Sequence, residues 1–513
     1  MARPMVRDAQ MSFAGGINTV SDDIALQPNQ IRLAQNARLN EYGAIEKRGG
    51  TVKVSTNNPS SSAVQNGYGW VRDNGSAYSL VIANGTFYYL QFAAGSSLPA
   101  TSWSTAAGTF SASVNPSFAS FISGGSTDVV YIADGGLLNK WDGTTLTTNI
   151  ASTQDCSVIK VHNQRLWGAG STTYPDSIFY SALNNGDSLA NGASSGGQIV
   201  VRTFSDERVV GLASVGSSLL IFHRRGISRL TGFGQDDITV QPEGVSSQTG
   251  TIAPLSIVET DGAAYFLSDR GAFVATEGQV APLGSPDSPD PLLPLVRDLS
   301  TTQLSNVRGV LSRNTQEVWW WIPGQGVYTY HLILRAWSGP WTGSFLNTAA
   351  MWTSNVNTEA EQFVVHANSS TKVVTLCDYT GSYVDEGTIA APATGTDIDM
   401  AVELRRLYFG DDSKAKSLKF GYLTAVLAGQ SSLDVAWTLD GGSSGNYTIT
   451  ASSGGTWGTG TWGTGVWGVV GSKNYRVPMW GNGYYVDVRF THSAANRPVL
   501  SRWQEDAFVL GRR

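Results

Sequence analysis

Between about Gly67 and Gly381 the chain writes one unit seven times: a short apolar strand, a Gly-rich or polar turn, and a second apolar strand. The copies read SLVIANGTFYYLQ (79–91), DVVYIADGGLLNKW (128–141), QRLWGAGSTTYPDSIFYS (164–181), SLLIFHRRGISRL (218–230), AAYFLSDRGAFVAT (263–276), EVWWWIPGQGVYTYHL (317–332) and QFVVHANSSTKVVTL (362–376). Their turns centre near Gly85, Gly135, Thr173, Gly226, Gly271, Gly324 and Ser369, about 47 residues apart on average, a period typical of radial repeats with several strands each. A lone hairpin is marginal in water, so each copy needs neighbours on both faces. Strands apolar at nearly every position, rather than alternating, fit sheets covered on both sides. The expected fold is all-β: a β-propeller of six or seven blades over residues 58–382. The letters leave the count open, because the first and last hairpins could share a blade. A large β-sandwich with accidental spacing is the alternative.

The flanks read differently. Residues 1–57 form a lead-in, with an extended Gly-Gly entry and a short helix opened by Pro28 and striped by Ile31 and Ala34. Short strands at Ala37–Leu39 and Ala44–Lys47 follow, joined through Asn40-Glu41-Tyr42-Gly43. SPDSPDPLLPLV (285–296) reads as a stiff connector between blades. Beyond about residue 382 the strands alternate cleanly. Leu433, Val435, Trp437 and Leu439 share one face before Asp440-Gly441-Gly442. Tyr484, Val486, Val488 and Phe490 share another, with Asp487 and Arg489 opposite. One dry and one wet face per strand predicts an antiparallel β-sandwich over 383–513.

Composition narrows the function. Charged residues make up only 14% against 58 Gly and 16 Trp, which favours turn-rich β structure over helical bundles. No stretch approaches the roughly 18 unbroken apolar residues of a membrane helix, and the N-terminus has no apolar signal-peptide run, so synthesis in a cytoplasm is expected. Net charge is −6 with no basic run, so tight nonspecific gripping of nucleic acid is not expected. A wall past which DNA slides without sticking is compatible with that balance. Cys156 and Cys377 read as small buried residues rather than a disulfide or metal ligands. None of the five histidines has a partner at metal spacing. No phosphate-binding GxxxxGK[ST] loop occurs. Neither catalytic residues nor a cofactor or metal site is expected. A pair of carboxylates for glycoside cleavage would be a spatial match that spacing does not reveal.

The C-terminal segment carries GGTWGTGTWGTGVWG (454–468), with Trp457, Trp462 and Trp467 every five residues among glycines. Three readings stay open: a loop that docks its rings into a neighbouring subunit or fibre, a sugar-stacking site, or a cap folded onto its own domain.

Phe13-x-Gly15-Gly16, Leu26-x-Pro28-x-Gln30, Ala34-x-Asn36, Gly43 and Arg48-x-Gly50 together resemble the opening of tail nozzle proteins of short-tailed bacteriophages, also called tail tube or hub proteins. VHNQRLWGAG (161–170), DSIFYSALNNGDSLA (176–190) and the ending EDAFVLGRR (505–513) fit the same resemblance. The resemblance implies a non-enzymatic virion protein. It implies a ring, expected to be a hexamer, below the portal and adaptor, with a channel through which DNA leaves and a dock for tail fibres or spikes. Phe13, Gly15, Gly16 and the three tryptophans are then the candidate subunit or partner contacts. The rival function is a receptor- or glycan-binding propeller, one that also cleaves glycans if acids meet. It expects aromatic and acidic residues converging at one propeller mouth.

Overall fold

A computed structural model describes residues 5–92, 102–124, 126–151, 153–189, 196–203, 207–232, 237–260, 262–285, 288–355, 362–379, 381–427, 431–440, 442–450 and 472–511. Seven four-stranded antiparallel units surround one axis, six of them as separate sheets. Their first, innermost strands are Val64–Val71, Ser117–Ser123, Val158–His162, Gly211–Val215, Val258–Glu259, Arg308–Ser312 and Thr348–Asn355. Each runs outward as a meander, as from Ser117–Ser123 through Thr127–Ala133 and Asn139–Trp141 to Leu146–Thr147. Residues from all seven inner strands line a single axial cavity, so the units form a wheel.

The repeated hairpin of the sequence is the middle pair of strands in each blade. Ala77–Ala83, Ser218–Phe222 and Gly326–His331 are buried at every position because neighbouring blades cover both faces. Inner strands such as Ser117–Ser123 mix buried and half-buried positions, because their edge lines the axial cavity. The wheel is closed by the lead-in: Thr51–Lys53 pairs antiparallel with Val374–Cys377 and becomes the outer strand of the last blade. At the seam, a Cβ on Gly67 would lie 2.5 Å from the Trp352 ring, so only a glycine lets the first and last inner strands approach this closely.

The sixth blade does not end at its fourth strand. Ala336–Trp341 contacts Gln30–Gln35, and the sheet continues through Met400–Leu404, Val486–His492, Ser432–Leu439 and Ser444–Thr450, reaching ten strands with Gly16–Ile17 paired to Gln30–Gln35. A seven-stranded sheet faces it. That sheet holds Ala37–Leu39, Ile45–Lys47, Val499–Gly511, Ala415–Val426 and Lys473–Pro478, with Met5–Gln10 and Asn482–Gly483 paired alongside. Leu433, Val435, Trp437, Val486, Val488 and Phe490 from one sheet meet Leu423, Trp503 and Ala507 from the other. Phe490 and Trp503 cross edge to face at 5.3 Å between ring centroids. The alternation expected for residues 433–439 and 486–490 is present residue by residue. The sandwich is built from both chain ends, and its core is continuous with that of the fifth and sixth blades.

Two expectations are corrected. The helix over Pro28–Ala34 is instead the strand Gln30–Gln35, clamped between Ala336–Trp341 and Met400–Leu404. Ile31 and Ala34 are fully buried there, so ladder bonds and burial on two sides override a weak local helical pattern. The proline-rich connector ends in a helix, Leu292–Asp298, that buries Leu292 and Val296. Asp290 starts it by accepting from the Leu292 backbone N–H at 2.8 Å and from that of Ala272 in the fifth blade at 2.7 Å. Among the described residues no helix is long and apolar enough to cross a membrane.

Candidate functional site

The axial cavity has a volume of about 810 Å³. Two polar rungs tie its wall together. Lys160 on the third inner strand contacts Glu259 on the fifth. Glu259 also accepts the backbone N–H of Ser214 on the fourth at 3.0 Å, and Ser214 Oγ meets His162 Nδ1 at 2.8 Å. One carboxylate therefore links three consecutive blades. Burial lowers the pKa of His162 and favours the neutral ring.

The second rung is Arg308, at the start of the sixth inner strand. Its Nε donates to the Ala349 carbonyl at 3.2 Å, and Nη2 donates to the Gln65 carbonyl at 3.3 Å and to Asn115 Oδ1 at 3.2 Å. It thus spans the sixth, seventh and first blades and the entry to the second. Among the described residues the buried guanidinium has no carboxylate partner, and desolvation pulls its pKa down to about 10. Carbonyl oxygens, not an ion pair, hold this charge.

Tyr68, Phe118 and Trp352 also line the cavity, with Tyr68 stacked on Phe118 at 5.8 Å. Among the described lining residues Glu259 is the one carboxylate, and Lys160 and Ser214 already engage it. The paired acids that glycoside cleavage requires do not meet on this wall. Among the described residues, no group of three His, Cys, Asp or Glu side chains comes together to hold a metal. Cys156 and Cys377 are both buried and free, and burial raises both thiols.

Of the residues singled out in the lead-in, two are buried and one is partly exposed. Phe13 is 0% exposed and belongs to the shared core. A Cβ on Gly15 would lie 2.8 Å from Asn29, and one on Gly16 would lie 2.4 Å from the Trp337 carbonyl. Phe13 and Gly16 are buried within the chain, Gly16 against the sixth blade, while Gly15 is partly exposed. Trp457, Trp462 and Trp467 lie outside the described residues.

Other residues of the same motif form a junction that spacing alone does not reveal. Arg48 is fully buried and grips Asp385 with two bonds, Nη1 to Oδ1 at 2.8 Å and Nη2 to Oδ2 at 2.7 Å. Its Nε donates to Asn36 Oδ1 at 3.1 Å, and its guanidinium lies 4.9 Å over the Phe345 ring. Asn36 donates to the Asp399 carbonyl at 2.8 Å and to Thr342 Oγ1 at 2.9 Å. Asn36 and Arg48 thereby fasten lead-in, sixth blade and sandwich bridge at one point. Beside them Arg38 pairs with Glu317 at 3.1 Å and Asp378 at 2.9 Å.

Fold and wall together define an all-β protein: a propeller wheel continuous with a sandwich platform. No family model matches the chain, and no curated protein matches it. Solved structures with a similar outline include a catalytically inactive virginiamycin B lyase from Staphylococcus aureus with quinupristin, at 11% identity and a TM-score of 0.38, covering 64% of this chain and 98% of the lyase. U3-55K aligns at 11% identity and a TM-score of 0.38, covering 62% of this chain and 96% of its own. PorZ, a surface component of the type-IX secretion system of Porphyromonas gingivalis, aligns at 12% identity and a TM-score of 0.36 over 79% of this chain and 46% of PorZ. At that distance nothing about activity or partners transfers.

Proposed function

We propose that this chain is a structural, non-enzymatic virion protein, a nozzle-like ring component of a bacteriophage tail that docks on a portal–adaptor complex and carries fibres or spikes. One observation carries the reading: the Asn36–Arg48 junction welds the lead-in, the wheel and the sandwich into one body. These are residues of the motif through which the sequence resembles tail nozzles. A mechanical part needs rigidity between its contact surfaces, and a buried, fully bonded Arg–Asp pair supplies it where several elements meet. The wheel encloses an axial cavity whose wall is tied together by side-chain rungs within a single chain. In this reading the DNA conduit is instead the space enclosed by a ring of copies. Head-to-tail contacts are the kind that close a ring.

The test is imaging. Electron microscopy of particles containing the protein, or of the purified chain mixed with its adaptor, is expected to show a ring of about six copies around a central channel. A trimeric spike, or glycan hydrolysis abolished by mutating acidic residues, would overturn the reading.

A further inference from the structure

The seven-stranded sheet has one face in the sandwich core and one face that no described element covers. On that outer face three rows cross the strands in register. Asn474, Thr424 and Arg502 form one row; Arg476, Tyr422 and Gln504 the next; Pro478, Phe420, Asp506 and Arg7 the third. Lys419 and Phe508 lie beside them. Phe420, Tyr422 and Phe508 are half-buried, while Lys419, Asn474 and Arg476 are exposed.

The charges on this face are unbalanced in a chain whose net charge is −6. Its acid, Asp506, is taken by Arg7 through two bonds, at 2.7 and 3.2 Å. Lys419, Arg476 and Arg502 have no carboxylate partner among the described residues. Each is nevertheless held in place. The Arg476 guanidinium stacks 3.5 Å from the Phe420 centroid, and the Lys419 ammonium lies 4.8 Å from that of Phe508. Arg502 Nη2 donates to Gln504 Oε1 at 2.9 Å, while its buried Nε has no partner. Stacked cations keep their N–H edges free and lose little entropy on meeting an anion. Between them lies a groove of about 160 Å³ lined by Tyr422, Thr424, Asn474, Arg502 and Gln504.

We propose that this face docks an acidic, Asp- or Glu-bearing segment of another protein chain, with carboxylates meeting Arg476, Arg502 and Lys419 across the groove. The inference does not use the tail reading. Two observations favour a peptide over single-stranded nucleic acid. Cations of the chain itself already sit over Phe420 and Phe508, which leaves few open rings for base stacking. The strand Lys473–Pro478 ends the sheet, so an extended segment can also pair with its backbone.

The test uses the full chain and a fluorescent oligoglutamate peptide, with oligolysine and oligothymidylate as the other arms. Oligoglutamate is expected to bind at low salt and to weaken as salt rises. Arg476→Glu with Arg502→Glu is expected to lower its affinity about tenfold or more. Arg489→Glu, on the other sheet's outer face, leaves it unchanged. Lys419→Glu, on an exposed ammonium, gives a second variant should the double one unfold; equal melting curves confirm folding. Four results would overturn the proposal: no oligoglutamate binding, binding unchanged in both folded variants, tighter binding of oligothymidylate, or self-association of the wild type that the variants lose. The last assigns the face to a second copy of the chain.

Discussion

The wheel and the platform bury similar strands in opposite ways. In the wheel, each blade is covered on both sides, middle strands such as Ala77–Ala83 and Gly326–His331 are buried at every position, and the last sheet is closed by a strand from the lead-in. In the platform, each sheet keeps one outer face in water, and among the described residues both sheets end in edge strands, Ser444–Thr450 and Lys473–Pro478. Closure leaves the wheel little surface with which to bind anything except through loops. The open sheets leave the platform broad faces and unpaired backbone. In this molecule rigidity is concentrated in one part and adhesiveness in the other.

The largest expected effect tests whether the two parts are one unit. Arg48→Ala leaves Asp385 buried without its partner and should cost about 3–5 kcal/mol. Denaturant unfolding followed by tryptophan fluorescence is expected to show one cooperative transition shifted down. Two separated transitions in the wild type would mean that wheel and platform are independent.

Next comes a pH test confined to the platform. Glu505 is fully buried in the long strand Val499–Gly511, and desolvation pushes its carboxyl up to about 8, with Asp8 and Asp506 adding like charge. A carboxyl whose pKa is higher folded than unfolded binds its proton more tightly in the folded state. Its stabilisation is complete below the ordinary Glu value and fades as pH rises toward 8, at a slope of roughly 1.4 kcal/mol per unit. Glu505→Gln is expected to flatten that decline, seen as melting temperatures that separate from the wild type between pH 5 and 8. Parallel curves would show that Glu505 does not titrate in this window.

A smaller effect sharpens the picture of the wheel. Gly67→Ala pushes a methyl into Trp352 at the closing seam and should cost about 1–3 kcal/mol. Hydrogen exchange is expected to rise in Val64–Val71 and Thr348–Asn355 more than elsewhere. The smallest effect belongs to the platform's wet face. Arg489 reaches Glu403 at 3.2 Å with its side chain half exposed, so Arg489→Ala should change stability by less than about 1 kcal/mol.

The sequence was most legible where burial is symmetrical. The middle hairpins could be read because two covered faces leave largely apolar runs such as Ser218–Phe222, and Leu433–Leu439 could be read because one covered face leaves alternation. Inner strands such as Arg308–Ser312 and outer ones such as Leu146–Thr147 were hidden. The former mix axis-facing polar positions into the pattern, and the latter are too short to show a period. Gln30–Gln35 misled as a helix because the two strands that clamp it, Ala336–Trp341 and Met400–Leu404, lie hundreds of residues away, beyond any local window. The junction residues Asn36 and Arg48 were visible as motif letters, but their joint grip on Thr342, Asp385 and Asp399 is purely spatial. The groove on the seven-stranded sheet was invisible for the same reason. Its cations come from strands far apart in the chain and form no run.

The strand that closes the wheel has a consequence for how the chain is made. Thr51–Lys53 leaves the ribosome early, yet its hydrogen-bonding edge, Val374–Cys377, appears only after every other blade has been synthesised. The first part of the chain must therefore wait, unpaired, while the rest is translated. Truncated products lack the mate for this strand and expose a sticky edge that quality-control proteases can recognise.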